Sequence, residues 1–177
     1  MEFIERLHAA VDELAAPIAK QHGERLRCRA GCSACCTDDI TVFEIEADRI
    51  VAKHEELLET GEPHPEGACA FLDGEGRCRI YEERPYVCRT QGLPLRWIEE
   101  DDEGDVFESR DICPLNDEGG PPLEELEAEA LWTIGPFEQR LADRQRAIDG
   151  GEGRRVALRE LFAKGSSDKR RRLPVIR

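Results

Sequence analysis

The sequence predicts an α+β fold in which N- and C-terminal helices wrap a small cysteine-rich core of short strands and a hairpin. Apolar residues recur at three- and four-residue spacing near both ends of the chain, as they do in amphipathic helices. The middle of the chain instead alternates short apolar segments with turns that contain Gly, Pro and Asp. Aromatic residues are only 6% of the 177 residues and charged residues are 36%. We therefore expect a single compact domain with a modest apolar core.

Two helices are predicted in the first third of the chain. Residues 2–16 form the first, because apolar side chains at helical spacing share one face, namely Ile4, Leu7, Val11, Leu14 and then Ile18. Pro17 is predicted to kink or end this helix. Residues 28–36 follow as a loop. The second helix begins at the capping-box pattern Thr41-Val-Phe-Glu44 and stops at Gly61.

A hairpin is predicted next, from apolar segments at residues 70–72 and 78–81 on either side of the turn Asp73-Gly74-Glu75-Gly76. This pairing would bring Cys69 and Cys78 near each other. Residues 84–89 are expected to form a turn that carries Cys88 back toward them.

Strands and helices complete the predicted order of elements. Two short strands, residues 93–98 and 106–109, flank an acidic loop. A helical pattern runs from residue 123 to 147 with a break at Gly135-Pro136, and residues 154–164 add a last short helix. Helices are thus expected on both sides of the cysteine-rich region.

The eight cysteines lie between residues 28 and 113 and are the most informative residues of the chain. Adjacent cysteines cannot form a relaxed disulfide, because that bond needs Cα atoms roughly 4.4–6.8 Å apart and neighbouring Cα atoms are about 3.8 Å apart. Their share of the chain is below the roughly 8–10% typical of secreted disulfide scaffolds. Thiols at this density indicate metal ligands or redox groups in a reducing compartment, and eight thiolates suffice for two four-ligand sites.

Charge and hydropathy narrow the possible partners. A net charge of −14 argues against nucleic acid or an anionic membrane as partner, because both attract basic surfaces. The basic tail around Lys169–Arg172 is interpreted as a solvated terminus. Residues 1–26 lack the apolar run of a signal peptide, and no stretch is apolar for long enough to span a bilayer. We therefore expect a cytoplasmic protein. No acidic residue directly adjoins a cysteine in the sequence, as thiolate stabilisation requires. Five arginines do: Arg27, Arg29, Arg77, Arg79 and Arg89.

The spacing of the cysteines is compatible with two kinds of metal centre. The knuckle Cys32-x-x-Cys35 suits tetrahedral zinc, but there is no second C-x-x-C to complete a zinc ribbon. The series Cys28-x3-Cys32-x2-Cys35 together with Cys113-Pro114 has features of ferredoxin ligation. Thiolate ligands suit both zinc and iron–sulfur clusters, so the sequence supports the two metal centres almost equally, with the iron–sulfur cluster slightly favoured. The four histidines are not at ligand spacing.

Two blocks of the sequence resemble a known family. They are Cys32-x-x-Cys35-Cys36 and the longer segment 69–89, in which C-x-F-L, C-x-I-Y and R-P-x-x-C-R follow in order. Together they resemble the YkgJ-type cysteine-cluster family, bacterial proteins with a CxxCxxCC zinc- or iron-chelating domain. The resemblance covers residues 28–114, and the first cysteine spacing is one residue longer than in the family pattern. It implies a chelating set of Cys28, Cys32, Cys35, Cys36, Cys69, Cys78, Cys88 and Cys113.

An alternative hypothesis assigns an enzymatic role to some of the same cysteines. Cys28, Cys32 and Cys35 have the spacing of radical S-adenosylmethionine enzymes, in which three cysteines hold a cluster with one open iron. Ala34 stands where those enzymes have an aromatic residue, Cys36 crowds the site, and no strand–helix alternation follows for a barrel. We therefore favour a non-enzymatic protein with a structural, metal-handling or redox role. Its N-terminal helix (1–27), chelating region (28–114) and C-terminal helical extension (115–177) are expected to pack as one domain.

Overall fold

The computed structural model describes residues 2–162 and confirms the α+β class. Its helices are α1 (Glu2–Gln21), α2 (Glu44–Lys53), α3 (Glu55–Thr60), α4 (Tyr86–Arg89) and α5 (Pro136–Ile148). Its strands are β1 (Thr41–Phe43), β2 (Leu95–Glu100), β3 (Val106–Asp111), β4 (Trp132–Thr133) and β5 (Arg155–Ala157). None of the helices within residues 2–162 is long and apolar enough to cross a membrane.

The chain folds into two compact units that each combine two segments of sequence. The first unit contains Met1–Arg29 and Tyr86–Asp143, and the second contains Ala30–Pro85 and Arg144–Arg177. Strands β2, β3 and β4 form a three-stranded sheet in the first unit, and β1 pairs with β5 in the second. The described part of the chain, residues 2–162, therefore has no sheet large enough for the barrel of a radical S-adenosylmethionine enzyme.

In the first unit, α1 buries most of the predicted apolar face, including Ile4, Leu7 and Val11. The predicted end of this helix at residue 16 is wrong, because the helix continues through Pro17 to Gln21. Proline removes the hydrogen bond to the carbonyl four residues earlier. Here that residue is the exposed Glu13, whose carbonyl can bond water instead. The predicted apolar residue Leu14 is 55% exposed.

The sheet of the first unit confirms the two predicted strands, although the first lies two residues later than predicted and the second is two residues longer. Strands β2 and β3 pair in antiparallel register from Leu95 opposite Asp111 to Glu100 opposite Val106. Strand β4 adds a parallel neighbour to β2. The predicted helix over residues 123–135 is therefore wrong: this stretch contains two 3₁₀ turns and then β4. Hydrogen bonds from the Trp132 N–H to the Pro94 carbonyl and from the Ile134 N–H to the Arg96 carbonyl, each 2.8 Å, keep the backbone of β4 extended.

In the second unit, the predicted capping box at Thr41 is wrong, because Thr41 belongs to β1 and pairs with Ala157 of β5. The first amide groups of α2 have other acceptors. Glu44 N–H donates to the Arg154 carbonyl at 3.1 Å, and Ile45 N–H donates to the side chain of the buried Gln145 at 2.9 Å. Because tertiary partners satisfy these amides, the helix needs no side-chain cap.

Two other predictions for the second unit are corrected in part. The predicted helix from Thr41 to Gly61 is two helices, α2 and α3, which meet at His54, and its stop at Gly61 is confirmed. The predicted last helix from residue 154 is a strand over Arg155–Ala157, and helical backbone begins only at Glu160. Pairing with β1 explains the extended backbone, in which Val156 and Leu158 alternate into the core. Residues 163–164 of this prediction lie outside the described residues.

The predicted turn at residues 73–76 is confirmed, although its strands are reduced to one bridge between Leu72 and Cys78. Asp73 shapes the turn, because one carboxylate oxygen accepts the backbone N–H groups of Glu75 and Arg77, both at 2.8 Å. Backbone bonds from Asp73 to Arg77 and from Arg79 to Phe71, each 2.9 Å, close the loop. Cys78 is thereby fixed opposite Leu72. The predicted turn at residues 84–89 ends in the short helix α4.

Candidate metal centre

All eight cysteines are free thiols, and they divide between the two units. The second unit holds five of them: Cys32, Cys35, Cys36, Cys69 and Cys78. The first unit holds Cys28, Cys88 and Cys113. Thiolates are soft ligands that suit zinc and iron–sulfur clusters, so the donor chemistry of the set fits the predicted metals.

Backbone hydrogen bonds bring the cysteine loop of the second unit to the segment that carries Cys69. Cys69 N–H donates to the Cys36 carbonyl at 2.9 Å, and Cys36 N–H closes a turn on the Ser33 carbonyl at 2.9 Å. Side chains around Cys69 leave it only 7% exposed. Cys36 and Cys69, which are distant in sequence, therefore share one backbone contact.

The turn of the hairpin packs against the same cysteine loop. A Cβ atom at Gly76 would lie 3.4 Å from both the Gly31 carbonyl oxygen and the Ser33 hydroxyl oxygen. Gly76 also has a φ of +75°, which side chains rarely adopt. Glycine is therefore needed here for two reasons, and it lets the hairpin that carries Cys78 lie against the loop that carries Cys32.

The thiols of the second unit differ in their tendency to ionise. A hydrogen bond from the Cys36 thiol lowers the pKa of Cys35 to about 6, and Arg84 adds a smaller electrostatic contribution. Burial raises the pKa of Cys69. Burial also raises the pKa of Cys78, and the nearby Cys69 thiol adds to that increase. Cys35 is thus ready to act as a thiolate at neutral pH, whereas Cys69 and Cys78 stay protonated until a metal replaces their protons.

The arginines that adjoin cysteines have other principal partners than the sequence suggested. Arg89 forms an ion pair with Asp12 at 2.6 Å, and Arg77 forms one with Glu75 at 2.8 Å. Arg79 donates to the Ala70 carbonyl at 2.7 Å and only weakly lowers the pKa of Cys69 and Cys78. Arg84 was missed because it adjoins no cysteine, although the motif R-P-x-x-C-R contains it.

A further arginine holds the chain just before Cys69. The Arg159 guanidinium pairs with the Asp38 carboxylate and donates to the carbonyls of His64 and Ala68, each at 2.8 Å. These bonds fix the segment that leads into Cys69. Arg159 lies far from the cysteines in sequence, so no local signal identified it.

In the first unit, the structure places Cys28 beside Asn116. The Asn116 side-chain amide donates to the Cys28 sulfur at 3.5 Å. Asn116 also ends the 3₁₀ turn after Cys113, and its backbone N–H donates to the Cys113 carbonyl at 2.7 Å. Cys88 lies on the short helix α4. Asn116 is thus a functional candidate that the sequence reasoning missed, since a single asparagine after a cysteine-proline pair carries no distinctive signal.

Two of the histidines contact protein groups in the structure. One ring nitrogen of His22 lies 2.8 Å from the Ala130 carbonyl, and one of His54 lies 3.1 Å from the Glu83 carboxylate. Within residues 2–162, no group of three or more His, Cys, Asp or Glu side chains is arranged to hold a metal ion as it stands.

Comparison with known proteins adds one finding. The family model CxxCxxCC, described as "Putative zinc- or iron-chelating domain", matches residues 27–114. This confirms the predicted resemblance to the CxxCxxCC family, and the match contains every cysteine of the chain. Searches of curated proteins and of solved structures found no match.

Proposed function

We propose that the eight cysteines bind zinc or iron as thiolates, because residues 27–114 match the CxxCxxCC family model, described as "Putative zinc- or iron-chelating domain". Four of the five cysteines in the second unit form one complete site. The main observation that supports this proposal is the hydrogen bond of 2.9 Å from the Cys69 backbone N–H to the Cys36 carbonyl. It brings together the two blocks of sequence that hold ligands, while the bridge at Leu72 fixes Cys78 on the same segment as Cys69.

The favoured form of the metal is an iron–sulfur cluster, with zinc as the close second. A set of ligands made only of thiolates suits both. The knuckle Cys32-x2-Cys35 and the other three cysteines of the same unit offer the four thiolates that a cluster needs. The low pKa of Cys35, caused by its bond with Cys36, supplies a thiolate at neutral pH for either metal.

The role of the metal is structural in this proposal. Structural zinc in small domains has an apparent binding free energy of about 10–16 kcal/mol, whereas whole domains are stable by about 5–15 kcal/mol. The cysteine region consists mainly of loops and turns from residue 22 to 40 and from 61 to 80. Such a region gains much of its order from a metal. We expect the protein to work in the cytoplasm, because that compartment keeps thiols reduced and so available to bind metal.

Metal analysis of protein purified without oxygen tests the proposal directly. We expect at least one equivalent of iron or zinc, and a brown colour with broad visible absorption if the metal is an iron–sulfur cluster. Cys36→Ser should lower the metal content, whereas the neighbouring variant Thr37→Ser should not, because threonine is not a thiolate ligand. Less than about a tenth of an equivalent of both metals in the wild-type protein would remove the proposed function.

Loss of metal should also unfold the cysteine region if the role is structural. Chelation should then make residues 28–114 sensitive to protease while helical signal remains from the flanking helices. A metal that leaves without any change in protease sensitivity would instead indicate a carried metal.

A further inference from the structure

Asn116 is completely buried, and both the oxygen and the nitrogen of its side-chain amide form hydrogen bonds. Its side-chain oxygen accepts the backbone N–H of Arg27 at 2.7 Å. Its side-chain nitrogen donates to the Gly92 carbonyl at 2.8 Å and to the Cys28 sulfur at 3.5 Å. Most buried amides in proteins bond to backbone or water, so a buried amide that donates to a predicted metal ligand is informative.

The partners of Asn116 determine which end of its amide faces the sulfur. A backbone N–H can only donate, so the amide oxygen must face Arg27. The NH₂ group therefore faces the Gly92 carbonyl and the Cys28 sulfur, both of which accept. A donor directed at sulfur stabilises the thiolate, which is the form that binds metal.

Gly92 makes room for this contact. A Cβ atom on Gly92 would lie 2.4 Å from the Cys28 sulfur and 3.2 Å from the Asn116 amide nitrogen. The first distance is shorter than real Cβ contacts allow. Gly92 also has a φ of +93°, which favours glycine. Any side chain at this position would displace the sulfur from the amide.

Arg25 holds the backbone of Asn116. Its Nε donates to the Asn116 carbonyl at 2.8 Å, and the residue is only 2% exposed. With the bond from Asn116 N–H to the Cys113 carbonyl, both the backbone and the side chain of Asn116 are held. A residue held in this way can fix the orientation of the thiol that it contacts.

We propose that Asn116 is a positioning residue that orients the Cys28 thiolate for metal binding, an inference that rests on the proposed function. Hydrogen-bonded neighbours of metal ligands orient those ligands, and their loss typically lowers metal affinity about 10–100-fold. Asn116 thereby links two predicted ligands, Cys28 through its side chain and Cys113 through its backbone.

Cadmium-113 is the probe that tests this inference, because each bound ion gives its own NMR resonance. Full-length metal-free protein is reconstituted with ¹¹³Cd²⁺, and Cys28→Ser identifies the resonance of the ion that Cys28 binds. Asn116→Asp keeps the oxygen that Arg27 needs but removes the donor to sulfur. We expect it to shift the same resonance and to weaken cadmium binding at that ion about 10–100-fold.

A glycine pair supplies the matched control. Gly92→Ala should weaken binding at the same ion, because its Cβ displaces the sulfur. Gly104→Ala places the same strain on a backbone with φ of +86° but has no atom within 4 Å of the new Cβ. We expect Gly104→Ala to bind cadmium like the wild-type protein.

A double-mutant cycle distinguishes positioning from a purely structural effect. In the Cys28→Ser background, Asn116→Asp should cause no further loss of affinity, because its effect passes through Cys28. An additional, equal loss in that background would overturn the inference. Unchanged affinity in Asn116→Asp or in Gly92→Ala would also overturn it, as would a wild-type spectrum that Cys28→Ser leaves unaltered.

A measurement on the wild-type protein keeps the test decisive if Asn116→Asp does not fold. Cadmium should show a coupling through the sulfur to the Asn116 side-chain amide protons, and absence of that coupling overturns the inference. Failure of wild-type protein to bind cadmium at all would refute the proposed function itself. Binding of cadmium without any role for Asn116 leaves the function standing and removes only this inference.

Discussion

Replacing the buried Arg25 with methionine should destabilise the first unit by about 3–4 kcal/mol. The guanidinium donates to three backbone carbonyls, those of Asn116 at 2.8 Å, Asp117 at 2.7 Å and Pro121 at 3.1 Å. Methionine fills a similar volume but donates no hydrogen bond. The variant thus separates hydrogen bonding from packing.

The magnitude follows from the number and kind of bonds lost. A hydrogen bond that involves a charged group contributes about 1.5–3 kcal/mol net. Three of them would exceed about 4 kcal/mol, but methionine also avoids the cost of burying a charge, which lowers the expected loss. The ion pair of Arg25 with the Asp117 carboxylate adds little, because its N–O distance is 3.7 Å and the Asp117 side chain is 67% exposed. For a chain of this length we expect the melting temperature to fall by about 10 °C.

Urea denaturation of the metal-loaded protein, followed by circular dichroism, measures the loss. Hydrogen exchange should show the backbone of residues 117–121 opening first, since Arg25 holds it. Arg6→Met is the matched control. The pair Arg6–Glu2 is 3.6 Å long with both side chains more than three-quarters exposed, so its loss should be negligible. If both variants unfold at the same urea concentration, the buried hydrogen bonds do not stabilise the fold as reasoned here.

Three further predictions concern the cysteines. Cys88→Ser should lower the metal content and make residues 28–114 protease-sensitive while the outer helices keep their signal in circular dichroism; full metal content with a wild-type melting temperature would show that Cys88 is no ligand. In the metal-free protein, alkylation of Cys35 should be half-maximal near pH 6 and should need a higher pH in Cys36→Ala, as read by mass spectrometry. Because the pKa of Cys35 is lowered, its thiolate stabilises the metal-free fold fully above the ordinary pKa near 9 and loses that effect as pH falls through about 6. An alkylation midpoint unchanged in Cys36→Ala would contradict the assigned cause. Reduced protein given S-adenosylmethionine should release no 5′-deoxyadenosine. Release of that product would contradict the interpretation of the chain as a metal-binding protein without enzymatic activity.

Some features of the fold depend only on residues close together in the sequence, and these features were predicted correctly. The turn at Asp73–Gly76 follows from one aspartate and two glycines, and the strands around residues 93–109 follow from local alternation. The stop at Gly61 is equally local. Helix predictions failed where distant partners replaced local signals. Strand β5 is extended because β1 pairs with it, more than a hundred residues away in sequence.

The sequence by itself determined the donor chemistry of the candidate site. Eight thiols within residues 27–114 match the family model described as "Putative zinc- or iron-chelating domain", and thiolates are soft ligands that suit both metals whatever the fold around them. The relative readiness of the thiols to ionise was decided only by the tertiary structure. A neighbouring thiol lowers the pKa of Cys35, whereas burial raises that of Cys69.

The tertiary structure alone also decided which residues support the ligands. Asn116 reaches the Cys28 sulfur across 88 positions of sequence, and Arg25 reaches the Asn116 carbonyl across 91. Neither residue belongs to a motif, since a hydrogen bond needs only a donor and an acceptor at the right place. Spacing within a few residues encodes turns and ligand pairs, whereas the folded chain supplies the partners that orient them.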